Sequence, residues 1–173
     1  MQKRKAKGFI FLLVVLFVGI GIVEGVWNAQ PKGNGTVHVK TIGTVDDNMQ
    51  QEVQKTAESF NDIVLDAMQV RLKHDVTLYV TSTREDYQDV LQRHFHMKLE
   101  EAARVAKISG GWTSGKTRIT ALNGAAGVMD GANDRISTTG HELFHQLQYE
   151  LSSGKDTDEN ALFWLEEGSA DYI

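Results

Sequence analysis

The chain has 173 residues, of which 41% are hydrophobic, so it is long enough for one ordinary domain with a buried core. Its formal net charge is −5, and a basic cluster before residue 8 makes the remainder more acidic than that total. An acidic surface repels phosphate backbones and the sequence has no basic stripe, so nucleic acid is excluded as an expected partner. The absence of cysteine excludes disulfides and cysteine-ligated metals, which leaves His, Asp and Glu as possible ligands.

The N-terminal segment has the layout of an export signal. A basic stretch over residues 1–7 precedes an uninterrupted apolar run over residues 9–23, which ends at Glu24. At about 1.5 Å per residue the run is slightly shorter than the ~30 Å hydrocarbon core, so its length does not separate a signal peptide from a membrane anchor. We expect residues 1–29 to be an uncleaved single-pass anchor in the cell membrane, with a cleaved signal and a secreted protein as the alternative. In both cases the rest of the chain is exported and extracellular.

Residues 30–35 include the single proline of the chain and two glycines, and they predict a linker to one domain that begins at residue 36. From there, apolar periodicity and capping residues predict eight elements. In chain order these are a strand at 36–42, a helix from Asp46 or Asp47 to about 72, a strand at 75–82, a helix from Ser82 or Thr83 through 95, a helix at 98–108, a strand at 116–122, and helices at 136–151 and 161–173. Glycines at 110, 111 and 115 predict a bend before the third strand. The order indicates an α+β domain, a small sheet covered by helices.

Residues 141–145 read HELFH, which is an H-E-x-x-H motif. On a helix, residues four apart lie on one face, so His141 and His145 can direct their imidazoles at one metal ion, with Glu142 beside the site. A separate apolar stripe, which would bury the opposite face of the helix in the core, consists of Leu143, Leu147 and Leu151. A tetrahedral catalytic zinc needs a third protein ligand and leaves its fourth position to water.

A second motif, WLEEGSADY, follows at residues 164–172 on the last predicted helix. Together the two motifs resemble the gluzincins, zinc peptidases in which H-E-x-x-H is followed on a later helix by a ligand glutamate. The second motif is similar to the WLxEGxAxY pattern of the peptidase-MA-like branch. The resemblance implies that Glu167, and not Glu166, is the third zinc ligand. It also implies that Asp171 accepts a hydrogen bond from His141 and so fixes the tautomer of that ligand.

The resemblance implies a zincin-like metalloprotease domain over residues 36–173, with a small mixed sheet, an edge strand over the cleft and two metal-binding helices. One Zn²⁺ per chain would activate water and polarise the scissile carbonyl, and Glu142 would be the catalytic general base. The predicted strand at 116–122 looks like the edge strand, to which an extended peptide can pair by strand addition. Candidate substrate-binding residues are Trp112, Arg118 and Thr120, although a Trp that follows two glycines is often a packing residue.

These features predict an exported zinc metallopeptidase, either an endopeptidase or an aminopeptidase-like hydrolase, that acts on peptides or proteins. Gluzincins usually continue into a C-terminal helical subdomain, and this sequence ends six residues after Glu167, so a truncated product, a minimal domain and a complete but weak enzyme all fit the sequence. The alternative function is a membrane-anchored, non-catalytic zinc-binding scaffold of the same fold. An intact Glu142 favours the enzyme, because a structural metal site does not need a base. A chance motif in an exported binding domain would instead predict no zinc. The oligomeric state and the substrate do not follow from the sequence.

Overall fold

The computed structural model describes residues 33–152, which form a small α+β domain, as the sequence predicts. Its elements are β1 (Val37–Ile42), α1 (Asp47–Met68), β2 (Val76–Thr81), α2 (Arg84–Phe95), α3 (Leu99–Ile108), β3 (Gly111–Ser114), β4 (Ile119–Asn123) and α4 (Ala132–Leu151). The predicted N-terminal anchor and the predicted helix at 161–173 lie outside the described residues. Among the helices of residues 33–152, none is long and apolar enough to cross a membrane.

The described strands form one mixed sheet in the order β1-β2-β4-β3. The first three of these strands are parallel, and β3 pairs antiparallel with β4. The prediction of an edge strand at 116–122 is wrong, because β4 lies between two neighbours and the edge position belongs to β3. Residues 115–118 form the turn between these strands, where Arg118 has a left-handed φ of 56°. Strand β3 has four residues, which are too few to show an alternating pattern in the sequence. The glycines at 110, 111 and 115 therefore predicted a bend in its place.

The first two predicted helix starts are confirmed, and their capping residues explain them. The Asp46 carboxylate accepts the backbone N–H groups of Asn48 and Met49 at 3.0 and 3.1 Å. The Thr83 hydroxyl accepts the N–H of Asp86 at 3.0 Å at the start of α2. Such side chains satisfy N–H groups that have no partner in the first helical turn. Helix α1 ends before residue 72 because Gln69, with φ 59°, turns the chain into the left-handed region.

Alternate residues of each strand point to opposite sides of the sheet, and helices cover both faces. One core cluster joins α1 and α4 to the sheet and includes Val53, Phe60, Leu78, Leu122, Leu143 and Leu147. The other joins α2 and α3 to the opposite face and includes Tyr87, Val90, Leu91, Ala102, Ala106 and Ala121. The predicted leucine stripe of the motif helix is therefore buried at Leu143 and Leu147, whereas Leu151 is 47% exposed. Because Leu143 and Leu147 face the core, the two histidines lie on a different side of α4.

Polar contacts hold α4 at its start, middle and end. Near the start, Arg135 pairs with Glu52 of α1 and donates to the carbonyl of Asp130 at 2.6 Å. In the middle, the Gln146 amide donates to the carbonyls of Ser114 and Ile119. Near the end, the Glu150 carboxylate accepts the N–H groups of the loop before β2. The helix begins four residues before its predicted start at 136, because residues 132–135 lack the apolar periodicity on which the prediction depended.

Candidate metal centre

His141 and His145 converge on α4 as the motif predicts. Their Nε2 atoms are 3.0 Å apart, and the two rings meet edge to face with centroids separated by 4.6 Å. Two nitrogen ligands of a tetrahedral zinc, each about 2.0–2.1 Å from the metal, lie roughly 3.4 Å apart. The separation of the two Nε2 atoms is therefore close to the one that a shared zinc ion requires.

The second nitrogen of His145 is also in contact with a neighbour on the same helix. Its Nδ1 lies 2.7 Å from Oε1 of Gln148, one turn further along α4. An amide oxygen can only accept, so Nδ1 carries the proton in this contact. The lone pair of His145 is then on Nε2, the atom that faces His141. Such a contact is the usual way in which a protein fixes the tautomer of a metal-binding histidine.

Glu142 lies between α4 and the edge strand β3. Its side chain is 7% exposed, and its Oε2 atom accepts the hydroxyl of Thr113 at 2.6 Å. A Cβ atom at Gly111 would lie 2.5 Å from Cγ of Glu142, so the strand carries no side chain where the carboxylate passes. The two strand residues that face Glu142 are thus a glycine that leaves room and a threonine that donates a hydrogen bond.

A short chain of hydrogen bonds continues from Thr113 into the domain. Its Oγ1 atom is 3.1 Å from Oγ1 of Thr120 on β4, which is fully buried. Thr120 in turn accepts from the amide of Gln146 at 3.2 Å, and Gln146 is 2% exposed. These contacts connect the carboxylate of Glu142 to two strands and back to its own helix.

Tyr87 is a buried residue on the other face of the sheet, and its pKa is affected by its burial and also by the charge of the Glu142 carboxylate. Burial raises the pKa of Tyr87 well above its usual value; the Ser109 hydroxyl acts in the opposite direction, and the negative charge of Glu142 adds to the increase. Tyr87 therefore remains a neutral hydroxyl over the range in which proteins are folded.

The three predicted substrate-binding residues occupy different environments. Trp112 is 38% exposed and pairs with Ala121, so it points away from the face that carries Gly111 and Thr113. Arg118 is exposed in the turn between β3 and β4. Thr120 is fully buried, and its hydroxyl meets Thr113 and Gln146 rather than solvent. Of the three, Trp112 and Arg118 reach the surface.

Glu167 and Asp171 lie outside the described residues, so their positions relative to His141 stay predictions. Within residues 33–152, no group of three His, Asp or Glu side chains is arranged to hold a metal ion. The described chain supplies two convergent histidines and the adjacent Glu142.

Three residues that contact this site were not predicted from the sequence. They are Gly111, which leaves room for Glu142, Thr113, which donates a hydrogen bond to it, and Gln148, which contacts His145. Gln148 could have been found, since it lies three residues after His145 on a predicted helix, which places both on one face. Thr113 and Gly111 could have been found only by identifying residues 111–114 as a strand, because their shared face follows from that alternation.

Searches of protein-family models, of curated proteins and of solved structures found no match to this chain.

Proposed function

We propose that this protein is a zinc-dependent metallopeptidase that hydrolyses peptide bonds, with Glu142 as general base and His141, His145 and Glu167 as metal ligands. The observation that carries the proposal is the convergence of two histidine Nε2 atoms 3.0 Å apart on a helix whose intervening residue Glu142, directly after His141, is 7% exposed. Two imidazoles that converge in this way can share one metal ion. A metal-dependent hydrolase uses such a pair of ligands together with a carboxylate base.

The donor set fits zinc better than the other common divalent ions. Neutral imidazole nitrogens suit zinc, whereas calcium and magnesium prefer oxygen ligands. The Gln148 contact supports the fit, because it leaves the lone pair of His145 on Nε2. Glu167 as third ligand and Asp171 as partner of His141 are assigned from the resemblance of the second motif to WLxEGxAxY. The same resemblance supports a zincin-like fold.

In the proposed mechanism, zinc supplies Lewis-acid activation of water and of the scissile carbonyl when it is bound. Glu142 accepts a proton from the attacking water and later transfers it to the leaving amine. The hydroxyl of Thr113 donates to Oε2 of this carboxylate and holds it against β3. Burial of Glu142 between α4 and β3 limits its access to bulk solvent.

The substrate is proposed to be an extended peptide. In residues 33–152, β3 pairs with one strand and has its other edge open to strand addition. A peptide on that edge would lie beside Glu142, with Trp112 and Arg118 exposed near the strand and its turn. The basic and apolar stretches before residue 24 support an exported, membrane-anchored protein, so the substrates would be extracellular peptides or proteins.

The test is zinc content and peptide hydrolysis by the full chain in detergent, with and without Glu142→Gln. About one zinc per chain is expected in both proteins, and hydrolysis is expected to fall about 10²–10⁴-fold in the variant, the usual contribution of a general base. His145→Ala should lose both zinc and activity. Matched controls at exposed positions are Glu101→Gln and His96→Ala, which should change neither.

Two other results would reject the peptidase. One zinc per chain with no hydrolysis by the wild-type protein would support the non-catalytic zinc-binding scaffold. A wild-type chain that binds no zinc would mean that the H-E-x-x-H sequence arose by chance.

A further inference from the structure

The contacts around Glu142 fix the direction of each proton between α4 and the sheet. An ionised carboxylate can only accept, so the 2.6 Å contact requires Thr113 to donate its hydroxyl proton to Oε2 of Glu142. That proton is then used, although the Thr113 oxygen also lies 3.0 Å from the backbone carbonyl of Glu142. Thr113 must therefore accept from Thr120 at 3.1 Å, because a hydroxyl has a single proton to give.

Gln146 contacts Thr120 and is the last residue in this series of hydrogen bonds. The amide nitrogen of Gln146 can only donate, and its two protons are shared among Oγ1 of Thr120 at 3.2 Å and the carbonyl oxygens of Ser114 and Ile119 at 3.3 and 3.1 Å. Thr120 and Gln146 are 0% and 2% exposed, so water does not compete for these groups. Thr120 and Thr113 each donate in the direction of the carboxylate, and hydrogen bonds aligned in this way polarise and strengthen one another.

The close approach of Glu142 to β3 depends on the two strand residues that face it. Gly111 and Thr113 are two residues apart on one strand and hence face the same side. A Cβ at Gly111 would overlap Glu142, whereas Thr113 meets it with a hydroxyl. The carboxylate is thereby confined on one side by strand backbone and held on the other by a charge-assisted hydrogen bond, which is shorter and stronger than a neutral one.

We propose that Thr113 is a positioning residue: its hydroxyl, oriented by Thr120, fixes the orientation of the Glu142 carboxylate, the proposed general base, through the hydrogen bond to Oε2. This inference rests on the proposed peptidase function. It assigns to the edge strand a role in aligning the general base, in addition to any pairing with substrate. A displacement of about 1 Å at a reacting group can reduce a rate about 10²-fold, so the orientation matters.

The first experiment measures the hydrogen bond without relying on activity. In the full chain, in detergent and with zinc removed by a chelator, urea unfolding is compared for Thr113→Val in the wild-type background and in a Glu142→Met background. Valine keeps the shape of threonine and removes the hydroxyl; methionine fills the glutamate site without an acceptor. We expect Thr113→Val to change the unfolding equilibrium constant about tenfold in the wild-type background and less than about threefold in the Glu142→Met background. Equal changes in both backgrounds would overturn the proposal.

The second experiment measures the consequence for catalysis in the zinc-loaded protein. Thr113→Val is expected to lower kcat about 10–100-fold, with KM within about twofold and zinc content unchanged. Thr113→Ser, which keeps the hydroxyl, should retain kcat within about threefold. Equal losses in the valine and serine variants would show that the methyl group matters and would overturn the role of the hydroxyl.

The two experiments separate failure of this inference from failure of the proposed function. A wild-type protein that hydrolyses no peptide rejects the peptidase and any catalytic role for Thr113. The unfolding measurements still decide whether the hydroxyl holds the carboxylate. An active wild type whose Thr113→Val variant is equally active rejects the positioning role alone.

Discussion

Gly111 on the edge strand and Glu142 on the motif helix approach each other so closely that a Cβ atom on the glycine would lie 2.5 Å from Cγ and 2.7 Å from Cδ of the glutamate. Real Cβ atoms do not come so near to other heavy atoms, because contacts between carbons are optimal at about 3.5–4.0 Å. The glycine is therefore matched to this glutamate, and a larger residue would require one of the two elements to move.

Gly111→Ala is expected to displace the Glu142 carboxylate and to reduce peptide hydrolysis about 10²-fold, the scale on which small displacements reduce rates. The overlap should also destabilise the fold by about 1–3 kcal/mol. Zinc content should not change, because the overlap is with the side chain of Glu142 and not with that of His141 or His145. The matched control is Gly110→Ala, whose new Cβ would meet Thr138 at an ordinary 3.4 Å. Equal kcat in the wild type and the Gly111→Ala protein would contradict the expected displacement.

The parts of the fold that local chemistry determines could be predicted from the sequence. Asp46 and Thr83 are strong capping residues, and both start helices where expected. The four-residue spacing of His141 and His145 defines a helix face whatever the rest of the fold does, so their convergence was predictable.

What depends on pairing between distant segments could not be predicted. Whether residues 119–123 form an edge or an interior strand depends on which segments pair beside them, and β3 has too few residues to reveal itself by alternation. The contact of Thr113 with Glu142 joins residues 29 positions apart and requires that sheet order. Burial of Thr120 follows from the same pairing, whereas the prediction of Thr120 as a substrate-binding residue went with an edge position for its strand.

Gln148→Leu is expected to weaken zinc binding about 10–100-fold, because the substitution removes the oxygen that accepts the Nδ1 proton of His145. Gln148→Glu keeps an acceptor at the same position and should bind zinc at least as tightly as the wild type. Affinities would be measured by competition with a chelating dye. Indistinguishable affinities of the leucine and wild-type proteins would show that this contact does not fix the ligand tautomer.

Glu150→Ala is expected to destabilise the domain by about 1.5–3 kcal/mol, the range for hydrogen bonds to a charged group. Its carboxylate accepts the N–H groups of Lys73 and His74 at 2.7 and 3.1 Å and lies 3.0 Å from Nδ1 of His74, so it ties the end of α4 to the loop before β2. Urea unfolding of the zinc-free protein would measure the change. Glu101→Ala, at an exposed position on α3, should change stability little. A loss at Glu150 no larger than at Glu101 would show that the loop does not need this anchor.

Stability should decline in acid partly through Asp86 in the first turn of α2. Hydrogen bonds from the hydroxyls of Thr83 and then Ser82, at 2.7 and 2.9 Å, lower the pKa of Asp86 below its ordinary value. A carboxyl whose pKa is lower in the folded state contributes stability that is present above the unfolded pKa of about 3.9 and is lost as the pH falls through the folded pKa.

Asp86→Asn should therefore be less stable than the wild type at pH 7, and the difference should shrink as the pH is lowered below about 4. Urea unfolding at several pH values would measure this, with the exposed Asp66→Asn as control, for which we expect a small effect at every pH. A difference between the Asp86→Asn and wild-type proteins that stays constant from pH 7 to acid would show that these hydroxyl contacts act through packing and not through the charge.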